Sequence, residues 1–299
     1  MVRTFAAADI GSNTAHLLVG STNGELVMRI DNLNEWIPLG EVVSRNGEIP
    51  KDIVEQLVLA MKEFRRVAEN KKADALYVFA TEGMRLARNH SDVLKKIQKE
   101  TGVQVEIISP EREAELSFRG VQLDTGNVES DLLFEVGGGS AQIAQIIDGT
   151  LGERCSLRLG TGRLIAETGI TNPCNDHLMK AAENYAKNQL RRCSIKSEKR
   201  IAVVSGGVAR GLWRALHPDG EKILSRFEID FLKQSTSRLP IDRIVSRFNV
   251  KQRRAGTLLP GSIVYSEMME YFGIDSLVIS EFGVREGAIL EMFSGGIKV

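Results

Sequence analysis

The feature that most limits the fold is an internal repeat. Near the start, the apolar run Val2 to Ala8 ends in Asp9, a turn Gly11-Ser12-Asn13-Thr14 follows, and a second apolar run covers Ala15 to Val19. The order returns 126 residues later: Leu132-Leu133-Phe134, then Glu135, then Val136-Gly137-Gly138-Gly139-Ser140, then Ala141 to Ile147. Each half opens with strand, acid, apolar residue, small-residue turn carrying a hydroxyl, and strand. A hairpin turn follows in both, Asn23-Gly24 before a strand over Glu25 to Ile30, and Asp148-Gly149 in the second half. The expectation is an α/β chain of two structurally duplicated lobes with a cleft between them. Gly126-Asn127 marks the boundary, so the lobes are expected at 1–125 and 126–285, with a final helix, about 286–299, returning to the first.

Between the repeats the pattern alternates. Ile53, Val54, Leu57, Val58, Met61, Phe64 and Val67 fall at helical spacing. Leu76 to Ala80 reads as a buried strand. Ser91 opens a helix that Gly102 closes. Val103 to Ile108 reads as a strand. Ser109 and Pro110 suit an N-cap and first helical position, which predicts a helix over Glu111 to Val121. In the second half, Asp176 to Arg191 reads as helical, Ile201 to Val204 as a strand and Val208 to Leu216 as a helix. The final part is expected to be mostly helical, with one strand at Leu277 to Ser280 and a last helix over Val284 to Phe293. Leu258, Ile263, Met268 and Met269 read as core.

Composition removes several classes of function. The 299 residues carry 39 basic and 39 acidic side chains, so no global basic field gathers nucleic acid or an anionic membrane. Apolar residues at 42% and charged residues at 26% describe a soluble globular chain. The three cysteines form no CxxC pair, and the four histidines show no metal-ligand spacing. No stretch is apolar for the length of a membrane span. These features predict a cytoplasmic protein without nucleic-acid or membrane partners.

The chemistry concentrates in the turns. Small residues let backbone N–H groups converge on an anion, and hydroxyls add donors. Taken alone, the turn at Gly11, Ser12, Asn13 and Thr14 reads first as a hairpin turn capped by Asp9. The turn at Gly137, Gly138, Gly139 and Ser140 says more, because three successive glycines cost backbone entropy that a plain connection does not require. Gly206 and Gly207, after Ser205 and before a helix, form a third candidate, with close backbone packing as an equal explanation. Arg85 and Arg88 suit phosphate, or equally a solvated helix face. Glu111, Glu113 and Glu115 compete at the start of one helix, and spacing does not choose among them.

In one order, the chain carries Asp9-Ile10-Gly11-Ser12-Asn13-Thr14, Ala80-Thr81-Glu82-Gly83-Met84-Arg85, Glu106-Ile107-Ile108-Ser109 with Glu113-Ala114, and Gly137-Gly138-Gly139-Ser140. Leu159-Gly160 with Arg163-Leu164, Ser205-Gly206-Gly207, Arg253-Arg254-Ala255-Gly256 with Leu259-Pro260-Gly261, and Val284-Arg285-Glu286-Gly287 complete the series. Together these resemble the Ppx/GppA family of exopolyphosphatases and guanosine pentaphosphate phosphatases, in its short two-domain form. The resemblance implies an actin-like fold of duplicated ribonuclease-H-like lobes. It implies release of terminal phosphate from polyphosphate or pppGpp, with Mg²⁺ or another divalent cation, and members that often look dimeric. By the same resemblance, Glu113 matches the catalytic glutamate, and Gly11 to Thr14 and Gly137 to Ser140 match the phosphate loops. Asp9 and Glu135 match the acids near the metal, and Arg85 matches an arginine near the phosphate. The chain departs from the family pattern at Glu135 (usually Asp), at Pro110, Glu111 and Arg112 before Glu113, and at Pro38, where the family often has Arg. A kinase of the same fold and a polyphosphate or (p)ppGpp binding protein with weak turnover are the rival readings.

Overall fold

A computed structural model describes residues 1–298. Two compact units emerge. Unit 1 holds Met1–Leu123 and Phe282–Val299, and unit 2 holds Asp124–Glu281. These divisions fall at 123/124 and 281/282, beside the 125/126 and 285/286 read from the sequence.

Unit 1 begins with the antiparallel strands β1 (Arg3–Ile10), β2 (Thr14–Thr22) and β3 (Val27–Trp36). Two helices follow, α1 (Leu39–Asn46) and α2 (Lys51–Asn70). Next come β4 (Leu76–Ala80), the single turn α3 (Glu82–Arg85), α4 (His90–Thr101), β5 (Val105–Ile107) and α5 (Pro110–Thr125). The sheet order is β3-β2-β1-β4-β5, with β4 and β5 parallel to β1.

Alternation along β1 sends its side chains to two faces. Ala6, Ala8 and Ile10 join a core beneath α2, whose buried stripe includes Ile53, Leu57, Met61 and Phe64. Phe5 and Ala7 join a second core with Ala288, Ile289 and Met292.

Unit 2 repeats the plan. Its strands β6 (Leu132–Val136), β7 (Ala141–Ile147) and β8 (Thr150–Leu157) form the second meander. The helices α6 (Thr161–Thr168) and α7 (Asp176–Leu190) lead to β9 (Ile201–Ser205) and α8 (Gly206–Leu216). After β10 (Ile223–Ser225) come α9 (Arg226–Ser237), α10 (Ile241–Phe248), α11 (Gln252–Phe272) and β11 (Ser276–Ile279). The sheet order is β10-β11-β9-β6-β7-β8. Read from β8, it matches unit 1 strand for strand and adds β10, which runs antiparallel to β11. The last third therefore holds two strands where the sequence predicts one. The buried stripe Leu258, Ile263, Met268 and Met269 lies in the core, on α11.

The chain then returns to unit 1 as α12 (Val284–Ser294). This helix lies against α5 through glycine. A Cβ on Gly287 would stand 1.8 Å from the Leu116 carbonyl oxygen, and one on Gly120 would stand 2.0 Å from that of Gly283.

Candidate active site

The duplicated turns fold alike. In the first, the Gly11 N–H donates to the Thr14 carbonyl at 2.9 Å; in the second, the Gly137 N–H donates to the Ser140 carbonyl at 2.9 Å. The strand pairs that flank them share one register, Asp9 opposite His16 and Glu135 opposite Gln142.

The carbonyls of both turns are bound by the start of the short helix that follows each meander. Gly40 N–H donates to Ser12 O at 2.7 Å, and Ile37 N–H to Asn13 O at 3.1 Å. In unit 2, the N–H groups of Thr161, Arg163 and Gly160 donate to the carbonyls of Gly137, Gly138 and Gly139, at 3.0, 2.9 and 3.2 Å. The oxygens of both turns are thus turned into the helix start, and the N–H groups of Ser12, Asn13, Gly138 and Gly139 have no backbone acceptor among the described residues. The fit is tight. A Cβ on Gly160 would stand 2.3 Å from the Gly138 carbonyl carbon, and one on Gly40 would stand 2.7 Å from Ser12 Cβ. Glycine is thus needed at Gly160 and Gly40, where each helix start meets its turn, while a Cβ on Gly137 itself would meet only the Ser140 carbonyl at 3.6 Å.

Glu113 lies on the first turn of α5. Ser109 opens that helix, its hydroxyl accepting from the Arg112 N–H at 3.2 Å and its carbonyl from the Glu113 N–H at 3.0 Å. Arg85 donates to the Ile108 carbonyl at 2.7 Å. It therefore pins the connection that launches the Glu113 helix. Arg88 donates to the Asn46 carbonyl at 3.2 Å and lies on the surface.

The two acids are both engaged. Asp9 has the same parity on β1 as Phe5 and Ala7, so it faces α12, where Arg285 forms an ion pair with its Oδ1. Glu135 lies beside Ser205 on the neighbouring strand and accepts its hydroxyl hydrogen bond at 3.1 Å. Gly206 adopts φ +89°, and a Cβ there would stand 3.2 Å from Glu135 Cγ. Backbone conformation and the approach of Glu135 both call for glycine at this third turn.

Three neighbours of these residues escape a reading by spacing. Arg285 is one. Arg254, on α11, is the second; its guanidinium reaches the Gly207 carbonyl at 3.4 Å, and burial beside Arg214 lowers its pKa. Tyr265 is the third, fully buried on α11, its phenol pushed up first by burial and then by the Glu135 charge. Arg254 and Arg285 stand in the family-like segments near the C-terminus, whereas Tyr265 stands in none and has no signal in the sequence.

For a metal, the donor set is sparse. Among the described residues, no group of three or more His, Cys, Asp or Glu side chains comes together. Each unit contributes one carboxylate, Asp9 or Glu135, at the strand end before its turn. Mg²⁺ is ordinarily bound through one or two carboxylates, substrate phosphates and several waters. A single carboxylate in each unit fits an ion that arrives with a phosphate compound better than a resident, all-protein cage.

A sequence model of the Ppx/GppA phosphatase family matches residues 19–294. The chain is 26% identical to Exopolyphosphatase 1 of Mycobacterium leprae, over 94% of this chain and 87% of that protein. Exopolyphosphatase 1 of Mycobacterium tuberculosis is 28% identical over 94% of this chain and 86% of its own. The crystal structure of the Ppx/GppA family member of Aquifex aeolicus superposes with a TM-score of 0.85 at 23% identity, covering all of both chains.

Proposed function

The chain belongs to the Ppx/GppA phosphatase family, and from that premise we propose that it hydrolyses the terminal phosphoanhydride of inorganic polyphosphate or of pppGpp. The fold is the actin-like one, with an α/β sheet in each unit. The observation that carries the reading is the repeated turn. Each unit presents a loop whose carbonyls are bound by a helix start and whose N–H groups are left to bind phosphate oxygens.

Gly11, Ser12, Asn13 and Thr14 bind phosphate oxygens from unit 1, and Gly137, Gly138, Gly139 and Ser140 bind them from unit 2. Gly206 and Gly207 add the start of α8. Phosphoryl transfer asks mainly for positioning and for spreading of charge over the transferred group, which such donors supply. Glu113 orients a water in line with the terminal phosphorus and takes its proton. The water oxygen bonds to phosphorus, the bridging P–O bond breaks, and a chain one phosphate shorter leaves with inorganic phosphate. Asp9 and Glu135 would hold Mg²⁺, which when bound neutralises charge on the phosphate oxygens. Among the described residues no helix is long and apolar enough to cross a membrane.

The test is phosphate release from long-chain polyphosphate and, separately, from pppGpp, with and without Mg²⁺. Metal-dependent release is expected, and Glu113→Gln should slow it by roughly 10²- to 10⁴-fold while substrate binding stays near wild type. A folded protein that binds either compound and releases no phosphate is a binding protein instead. Transfer of phosphate from ATP to an acceptor would make it a kinase.

A further inference from the structure

The hydrolase reading gives Asp9 to a divalent cation, but a guanidinium already stands there. Asp9 is the penultimate residue of β1, and its parity turns the side chain toward α12. Arg285 donates to its Oδ1, and both side chains are largely buried. The other oxygen, Oδ2, lies on the side of the first turn, where a Cβ on Gly11 would stand 3.7 Å from it.

The backbone that carries Arg285 is fixed in this place. The next residue, Glu286, is buried and accepts from the Gly283 N–H at 3.0 Å and from Arg29 Nε of β3 at 2.9 Å. Gly287 is pressed against the Leu116 carbonyl of α5. The start of α12 is thus fastened to the sheet on one side and to α5 on the other, with Arg285 held opposite Asp9.

The ion pair has no net charge. A divalent cation that reaches Oδ2 is attracted by one carboxylate, is repelled by one guanidinium, and has to give up bound water. Partial burial leaves both charges poorly screened. A phosphate group changes the balance, because its oxygens bring negative charge that attracts the guanidinium as well as the cation.

We infer that Arg285 is a positioning residue that makes the cation site conditional: by holding Oδ1, it lets Asp9 take a divalent cation only together with a phosphate compound. The inference rests on the reading of Asp9 as a ligand of the cation and adds the order of assembly. The species recognised is the metal complex of the phosphate chain, and the protein alone keeps no divalent ion at Asp9.

Equilibrium dialysis tests this with Mn²⁺ alone and with Mn²⁺ plus imidodiphosphate, whose P–N–P bridge resists hydrolysis. Manganese is assayed on both sides of the membrane. Wild type is expected to bind Mn²⁺ alone weakly, and imidodiphosphate to raise the retention roughly tenfold or more. Arg285→Gln should bind Mn²⁺ alone roughly tenfold more tightly than wild type. Arg285→Lys keeps the charge and should stay near wild type. Adding Asp9→Asn to Arg285→Gln should abolish the gain, which places the ion at Asp9. A role in folding alone would lower stability without tightening the ion. Wild type that retains Mn²⁺ equally well with and without imidodiphosphate overturns the inference, as does a folded Arg285→Gln that binds Mn²⁺ no more tightly. If Arg285→Gln does not fold, the wild-type comparison decides. No retention in any arm overturns the inference together with the assignment of the cation to Asp9. Phosphate release is not read, so a protein that proved unable to hydrolyse would leave the inference standing.

Discussion

Arg285 reaches back across 276 residues to form an ion pair with Asp9, within one unit. Their side chains are only 13% and 17% exposed. The acid that sequence alone offers to a metal is thus already matched by a guanidinium, and a cation that binds Asp9 shares it with Arg285. Removing one partner of a buried pair strands the other charge. Arg285→Gln should therefore destabilise the protein by about 3 kcal/mol, and adding Asp9→Asn should restore much of the loss. Urea melts of the two single variants and the double variant measure the coupling. Additive losses would mean that the pair contributes nothing.

The second phosphate loop depends on one missing side chain. Gly160→Ala would push a methyl into the backbone at Gly138 and Gly139, 2.3 to 2.5 Å away. The expected cost is about 2 kcal/mol of stability, with KM for the phosphate substrate raised roughly tenfold as the loop shifts. Thermal melts and steady-state kinetics on the same preparation test both effects. An unchanged KM would detach the loop from substrate binding.

Gly211 gives the opposite sign. It lies inside α8, and a Cβ there meets nothing within 4 Å. Gly211→Ala should stabilise the protein by about 1 kcal/mol through helix propensity and a smaller unfolded ensemble. A chemical denaturation midpoint that rises confirms that α8 holds this conformation in solution.

At the start of α9, Glu228 joins a capping box with Ser225 and also meets His217 at 2.5 Å. Burial pulls the Glu228 carboxyl up, but hydrogen bonds from the Ser225 N–H and hydroxyl and from His217 outweigh it and hold the group below its ordinary 4.5. The unfolded chain binds the proton more readily, so this contribution is complete above about 4.5 and fades as pH falls through the lowered value. Wild type should exceed Glu228→Gln by about 1 kcal/mol at pH 7, and the gap should close in acid. A gap that persists at pH 3 would assign the stabilisation to shape rather than charge.

Much of the fold is legible because the repeat is written in side-chain chemistry. The strand over Leu76–Ala80 has the ends that its apolar run predicts, and Gly102 closes α4 in the left-handed conformation. The helices α1 and α6 escape detection for a physical reason. Each has eight residues and no side-chain N-cap hydrogen bond. Their first turns are instead held by the loop carbonyls, a tertiary contact that no local pattern announces. β10 is three residues long and pairs only with β11, too short to show alternation. In the site, the glycine turns are visible because glycine is costly, whereas the partners of the acids are not. The link between Asp9 and Arg285 depends on the parity of β1 and on where α12 returns, and neither can be read from spacing.

That return has a consequence for how the protein is made. Unit 2 is an insertion: unit 1 starts before it and finishes after it. While the chain is being synthesised, Phe5, Ala7 and Leu18 have only part of their cover, Ile108 and Leu116, until Ala288, Ile289 and Met292 emerge. Unit 2 has all of its elements first. Translation that stops before Val284 therefore leaves one finished unit and one sheet with a half-covered apolar face, the kind of surface that chaperones bind and that aggregates.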